Sequence, residues 1–187
     1  MHKILLSVVV IPLVLLGSAG GALAFGEARA HASLDDEVRS FVEERFPGQT
    51  VLSTNVRGRP YLLSRRNQEM QLAYVELAPP PGAVRHLLLV RNLRDGRSGP
   101  LSSLLWLPYA THPTEPVLAS DGSFTDTAVA AGRPVRFGAD IEAGLVTVTA
   151  DGGSPPAPVQ LEMLDGFSLG VVRATDEGVL VGLDLAS

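Results

Sequence analysis

SLDDEVRSFVEERF, residues 33–46, is the clearest helical pattern in the chain. Its apolar residues recur at helical spacing and form one apolar face, and its first acidic residues lie where the helix dipole favours anions. Ser33 is a suitable N-cap, and Pro47-Gly48 ends the pattern. A single amphipathic helix needs a sheet or a second helix to cover its apolar face. We therefore expect other elements to pack against residues 33–46.

Most of the sequence after this helix consists of strand patterns separated by turns. Residues 101–110 fit either a strand or a short helix, and a further short helix is expected to begin at Ser123 or Thr125. The run VRHLLLVRNL (84–93) is apolar enough for a strand that is buried on both faces. One helix followed by a series of strands predicts an α+β fold, in which an N-terminal amphipathic helix packs on a curved, largely antiparallel β-sheet. Strands are predicted at 50–57, 69–77, 84–93, 134–138, 144–150, 158–164, 167–175 and 179–185.

The sequence before the helix has the pattern of an export segment. Lys3 precedes an apolar run of signal-peptide length, and Ala22-Leu23-Ala24 provides small residues for cleavage. Residues 4–25 carry no charge and are long enough to span a bilayer, so an uncleaved anchor is the alternative. We therefore interpret residues 1–25 as a signal peptide or an N-terminal membrane anchor. Residues 26–187 are then a single domain, exported to the cell envelope, the periplasmic space or the extracellular medium.

Charge is distributed unevenly along the exported part. Between Arg57 and Arg97 there are eight arginines against three acidic residues, whereas residues 98–187 contain eleven acidic residues against three arginines. Solvated faces are the simplest explanation of such runs, and a basic rim that meets an anionic surface or ligand is the functional one. The acidic second half argues against nucleic-acid binding, because no basic stripe continues along the chain.

No motif for catalysis or metal binding is present in the sequence. The chain has no cysteine, its histidines lack metal-ligand spacing, and neither a phosphate-binding glycine loop nor a serine nucleophile elbow occurs. Ser123 is better explained as a helix cap than as a nucleophile. The sequence therefore predicts a protein that is not an enzyme and that has no cofactor and no metal site. A hydrolase with an acid–base pair outside any motif remains a weaker alternative.

The segment GRPYLLSRR, residues 58–66, places apolar residues beside arginines. Pro60 fixes a turn that can start a helix, in which Tyr61 would share a face with Arg65. Arginine donates two parallel hydrogen bonds to phosphate, and an apolar groove keeps lipid tails dry. Two alternatives are that these leucines close the core while the arginines point to water, and that Trp106 packs in the core. As lipid-headgroup contacts we predict Arg59, Arg65 and Arg66, and as an apolar wall Tyr61, Leu62, Leu63, Met70 and Trp106.

Two stretches resemble the LmeA-like phospholipid-binding family of actinobacterial cell-envelope proteins. FPGQTVLSTNVRGRPYLLSRRNQEMQLAYVEL (46–77) is similar to the family's opening strand, its glycine-x-proline-aromatic-leucine turn and the next strand. MLDGFSLGVVRATDEGVLVGLDL (163–185) is similar to its end, through Ala174, Thr175, Asp176, Gly178 and Val181. The family's turn is often followed by a glycine, where this chain has Arg65 to Gln68 instead.

The resemblance implies an envelope protein that binds phospholipids, especially anionic ones, and that supports envelope lipid or lipoglycan assembly. It implies no catalytic residues. The expected partner is therefore a phospholipid or a membrane surface. The alternative is a non-enzymatic scaffolding protein of the envelope that binds a protein partner through an exposed sheet edge.

Overall fold

A computed structural model describes residues 2–58, 60–120, 123–162 and 166–185, with side chains from residue 21 onward. It has an N-terminal helix packed on a large antiparallel sheet, which confirms the predicted α+β class. The elements in chain order are α1 (His2–Arg45), β1 (Val51–Arg57), α2 (Tyr61–Asn67), β2 (Glu69–Leu77), β3 (Arg85–Arg94), β4 (Leu101–Leu107), β5 (Val117–Leu118), β6 (Phe124–Thr125), α3 (Thr127–Ala130), β7 (Phe137–Glu142), β8 (Leu145–Ala150), β9 (Val159–Gln160), β10 (Phe167–Ala174) and β11 (Val179–Leu185).

Helix α1 is longer than the helix that the sequence predicted. It runs through Ser33 without interruption, so the prediction that Ser33 caps its N-terminus is wrong. The residues just before Ser33 are mostly alanine, glutamate and arginine, which favour continued helix. The predicted apolar face is confirmed, because Ala30, Leu34, Val38 and Val42 are buried at four-residue intervals. The helix ends near Pro47-Gly48 as expected.

The large sheet has six strands in the order β1-β2-β3-β4-β11-β10, and every neighbouring pair is antiparallel. Residues 101–110 therefore contain a strand, which settles the ambiguity left by the sequence. Two small sheets, β5-β6 and β7-β8-β9, follow β4 in the chain. The strands predicted at 134–138 and 144–150 form the hairpin of β7 and β8, although β7 begins at Phe137. Of the predicted strand 158–164, only β9 forms among the described residues.

Helix α3 is capped by Asp126, so the expectation of a helix start at Ser123 or Thr125 is wrong. Asp126 is only 1% exposed, and its Oδ1 accepts hydrogen bonds from the backbone nitrogens of Ala128 and Val129. Its Oδ2 accepts hydrogen bonds from the backbone nitrogens of Thr114 and Glu115, which ties the preceding loop to the helix. Burial raises the pKa of this carboxyl, but these N–H groups outweigh burial and hold the pKa below its usual value.

The two faces of the large sheet have different environments. On the inner face, Val75, Leu88 and Leu105 belong to one core cluster with the apolar stripe of α1 and the buried valines of β8. On the outer face, Leu87 and Leu89 of β3 alternate with these and are only partly buried, whereas Ser102 and Leu180 of the neighbouring strands are buried. The prediction that residues 84–93 are buried on both faces is therefore wrong. Strand β3 is central in the sheet, yet its outward leucines reach solvent.

Candidate functional site

Helix α2 confirms that the GRPYLLSRR segment turns into a helix after Pro60, and it is held against α1. The carboxylate of Glu27 accepts hydrogen bonds from the backbone nitrogens of Tyr61 (2.8 Å) and Leu62 (3.2 Å). These are first-turn N–H groups of α2, which a Pro60 side chain cannot cap. The Tyr61 ring also meets the His31 ring edge-on at 4.5 Å. Two hydrogen bonds and one ring contact therefore fix α2 beside residues 26–31 of α1.

The opposite side of α2 faces solvent. Leu63 is 52% exposed, and Arg65 and Arg66 are exposed in the last turn of the helix. Leu62 instead packs toward α1, where a Cβ at Gly26 would lie 3.4 Å from a methyl carbon of Leu62. An open depression of about 210 Å³ adjoins Leu63. Its lining residues are Gly58, Pro60, Leu63, Ser64, Asn67, Glu69 and Gln71.

The remaining predicted site residues do not join this surface. Arg59 lies outside the described residues. Met70 is buried in the core on the inner face, where it is paired with the buried Leu93 of β3, and Asn92 beside Leu93 takes a positive φ of 51°. Trp106 lies on the outer face, at the end of the sheet away from α2, and is half-buried. Met70 and Trp106 therefore lie on opposite faces of one sheet.

The outer face carries a second group of arginines that the sequence did not single out. The guanidinium carbon of Arg57 lies 5.8 Å from the ring centre of Tyr74, and that of Arg85 lies 5.2 Å from the ring centre of Trp106. Arg85 Nε is also 3.7 Å from a carboxylate oxygen of Glu76. A depression of about 360 Å³ lies between these side chains. Its lining residues are Ser53, Asn55, Arg57, Tyr74, Glu76, Arg85 and Leu87.

A third outward arginine, Arg91, is engaged by polar neighbours on β4 and β11. Its Nη1 donates to the hydroxyl of Ser102 at 3.1 Å, and that hydroxyl donates to Asp184 at 2.6 Å. Arg91 is therefore linked to the Asp184 carboxylate through the Ser102 hydroxyl. Arg57 differs, because it has no carboxylate partner among the described residues.

A serine–histidine pair is present, but it lies inside the core. His86 Nε2 is 2.8 Å from the hydroxyl of Ser103, and both residues have no exposed surface. Burial lowers the pKa of His86 to about 4, so the ring is neutral at pH 7. A nucleophile and its base need access to a substrate, which this position does not allow. We therefore assign the pair a structural role.

Within the described ranges, no group of three or more histidine and acidic side chains is arranged to hold a metal ion. The part of the chain with described side chains also contains no helix that is both long and apolar enough to cross a membrane. The side chains of residues 4–20, which carry most of the predicted export signal or anchor, lie outside that part. No family model, curated protein or solved structure matches the chain.

Proposed function

We propose that this protein is an exported envelope protein that binds anionic phospholipid at a membrane surface through the solvent-facing side of α2. One observation carries the proposal. Helix α2 is fixed on α1 beside residues 26–31, immediately after the apolar segment 4–25, and there it exposes Leu63, Arg65 and Arg66. An apolar side chain next to two guanidinium groups suits the boundary between acyl chains and phosphates.

Distances along α1 support this position. From Phe25 to His31 the helix advances about 9 Å, at about 1.5 Å per residue. The headgroup layer on each side of a bilayer is roughly 5–8 Å thick. If the apolar segment stays in the bilayer, α2 is therefore held at the level of the phosphates. Its arginines would then meet anionic lipids without any movement of the domain.

Cleavage of the N-terminal segment would leave the same surface intact. The groups that hold α2 are Glu27 and His31, which follow the small residues 22–24 that suit cleavage. The first buried apolar side chain among the described residues is Ala30, so residues 21–25 contribute none to the core. A cleaved domain would bind the membrane more weakly and reversibly, because only its basic surface and Leu63 would hold it there.

Arg65→Gln combined with Arg66→Gln is expected to weaken binding of residues 26–187 to anionic vesicles by about 30-fold. Each basic residue near an anionic surface contributes roughly 1 kcal/mol, so two of them correspond to this factor. The measurement is flotation with vesicles of phosphatidylcholine containing phosphatidylglycerol, at low salt and again at about 0.5 M salt. Binding of the unaltered domain should fall at the higher salt, since screening shortens the reach of exposed charges.

The matched control is Arg133→Gln combined with Arg173→Gln, which removes the same charge from the segment after α3 and from β10, at the opposite edge of the sheet from β1. It should lose far less binding than the α2 double variant. Equal recovery of the unaltered domain with neutral and anionic vesicles would contradict the proposed headgroup preference. Equal losses in the two double variants would show that net charge, and not α2, carries the attraction.

A further inference from the structure

We infer that the outer face of the large sheet holds a single phospholipid molecule with an anionic, hydroxyl-bearing headgroup, in the depression between Arg57 and Arg85. The inference rests on the proposed function, because both take phospholipid as the ligand. It assigns a separate site, on a different surface from α2. The lipid's acyl portion would lie along the outward leucines beside Trp106.

The apolar part of this site follows from strand register. Leu87 of β3 is paired with Leu104 of β4, and Leu89 of β3 is paired with Tyr74 of β2. Residues paired in antiparallel strands lie on the same face, so these side chains form one continuous strip. Each is only partly buried. An antiparallel sheet with one solvated face normally turns polar side chains outward, so an outward strip of leucine and tyrosine calls for a ligand that covers it.

The charged part of the site is fixed by stacking. The guanidinium carbons of Arg57 and Arg85 lie over the rings of Tyr74 and Trp106, and a guanidinium held in this way still has N–H groups that can donate to a ligand. Both arginines line the same depression of about 360 Å³. Paired guanidinium donors are suited to a phosphate, and this charge complementarity selects an anionic amphiphile as the occupant.

Glu76 narrows the choice of headgroup. Its carboxylate also lines the depression, where it accepts a hydrogen bond from Ser53 (3.2 Å) and lies 3.7 Å from Arg85. A carboxylate beside a bound phosphate is unfavourable unless the ligand brings a donor to it. Glycerol or inositol hydroxyls supply that donor, and the amide of Asn55 lies in the same lining. We therefore expect phosphatidylglycerol or phosphatidylinositol to bind more tightly than phosphatidic acid.

Trp106 provides a direct test, because it is the only tryptophan in the chain. The full-length protein, kept in solution by a non-ionic amphipol, would be titrated with dihexanoyl phosphatidylglycerol below its micelle concentration while Trp106 emission is recorded. We expect a saturable blue shift of the Trp106 emission. The affinity for the lipid should be about tenfold weaker in Arg57→Gln and in Arg85→Gln, because each variant loses a charge-assisted hydrogen bond. Arg133→Gln is the matched control and should bind as the unaltered protein does. Urea midpoints of the variants would verify that each is folded.

Four outcomes would overturn the inference. The first is no change in Trp106 emission, which would leave the face to a protein partner, and the second is the same lipid affinity in both arginine variants as in the control. The third is an affinity for dihexanoyl phosphatidylcholine equal to that for dihexanoyl phosphatidylglycerol. The fourth is an equal affinity for glycerol phosphate, which would point to a free phosphate ligand. The Arg65→Gln, Arg66→Gln variant separates this site from α2. It should lose vesicle binding and keep short-chain lipid binding if both ideas are right. Vesicle binding that survives in that variant would contradict only the α2 proposal.

Discussion

Gly178→Ala is expected to lower the free energy of unfolding by about 3 kcal/mol and the Tm by about 10 °C. Gly178 has a φ of +150°, which residues with a side chain rarely adopt, and an added Cβ would overlap the carbonyl oxygen of Leu107 in β4. Unfavourable φ costs about 1–2 kcal/mol and overpacking against backbone about 1–3 kcal/mol. For a chain of this size each 1 kcal/mol corresponds to roughly 2–4 °C in Tm. Urea and thermal unfolding would both measure the loss.

Gly96→Ala separates the two causes. Gly96 also has a positive φ, of 72°, but a Cβ there would meet nothing within 4 Å. This control should therefore lose only about 1 kcal/mol, the cost of the backbone conformation alone. If both variants lose the same amount, the close approach of Gly178 to Leu107 has no energetic weight, and the packing of the β10–β11 turn against β4 is looser than the structure indicates.

This turn explains why part of the fold was predictable from sequence. The backbone carbonyl of Gly178 accepts hydrogen bonds from the backbone nitrogen of Thr175 (2.8 Å) and from its hydroxyl (2.7 Å). The hydroxyl of Tyr109 in turn donates to the carbonyl of Thr175 at 2.6 Å. Two apolar strands joined by threonine, aspartate and glycine therefore predict a β-hairpin from local chemistry alone. The same residues carried the resemblance at the C-terminal end, so that resemblance reflects turn chemistry at least in part.

Features that depend on distant contacts were not predictable in the same way. The Glu27 carboxylate that caps α2 comes from 34 residues earlier in the chain, and no local pattern indicates that contact. The helical face of α2 was predictable, because Pro60 and the four-residue spacing of Tyr61 and Arg65 are local. Arg65 and Arg66 therefore lie on one helix, as the sequence predicted, but only the structure shows where that helix lies relative to α1.

The outer face was missed for a related reason. Strand β3 is so apolar that burial on both faces was the simpler interpretation, and only the sheet order reveals that one side reaches solvent. Likewise, the stacking of Arg85 on Trp106 requires the register of β3 on β4. Arginines followed by alternating apolar residues at 85–91 were the available signal. They were assigned to a general basic rim instead of to one face of a sheet.

Acidification from pH 7 to pH 5 is expected to lower the free energy of unfolding by about 2 kcal/mol through His86 alone. Burial holds the pKa of the folded-state ring at about 4, against 6.5 for an exposed histidine. Between these two pH values the unfolded chain binds a proton at His86 that the folded chain does not. The free energy of unfolding is therefore highest above about pH 6.5 and falls as the pH is lowered below that value. The loss reaches about 3 kcal/mol near pH 4. Urea unfolding at pH 7 and pH 5 measures the loss between these two pH values. The comparison stops at pH 5 because most carboxylates are still ionised there.

His86→Leu combined with Ser103→Ala should remove this dependence without a large loss of stability at pH 7. His86 is paired with Leu77 and Leu105 across the strands, so leucine enters an apolar row. Replacing both partners of the buried hydrogen bond avoids leaving the Ser103 hydroxyl unsatisfied, whereas His86→Leu alone would cost about 1–3 kcal/mol at every pH. His112→Gln, in an exposed loop, is the control and should keep the full pH dependence. If the double variant loses as much stability between pH 7 and pH 5 as the unaltered protein, His86 does not cause the loss, and its ring is then protonated as readily in the folded chain as in the unfolded chain, through its unpartnered Nδ1.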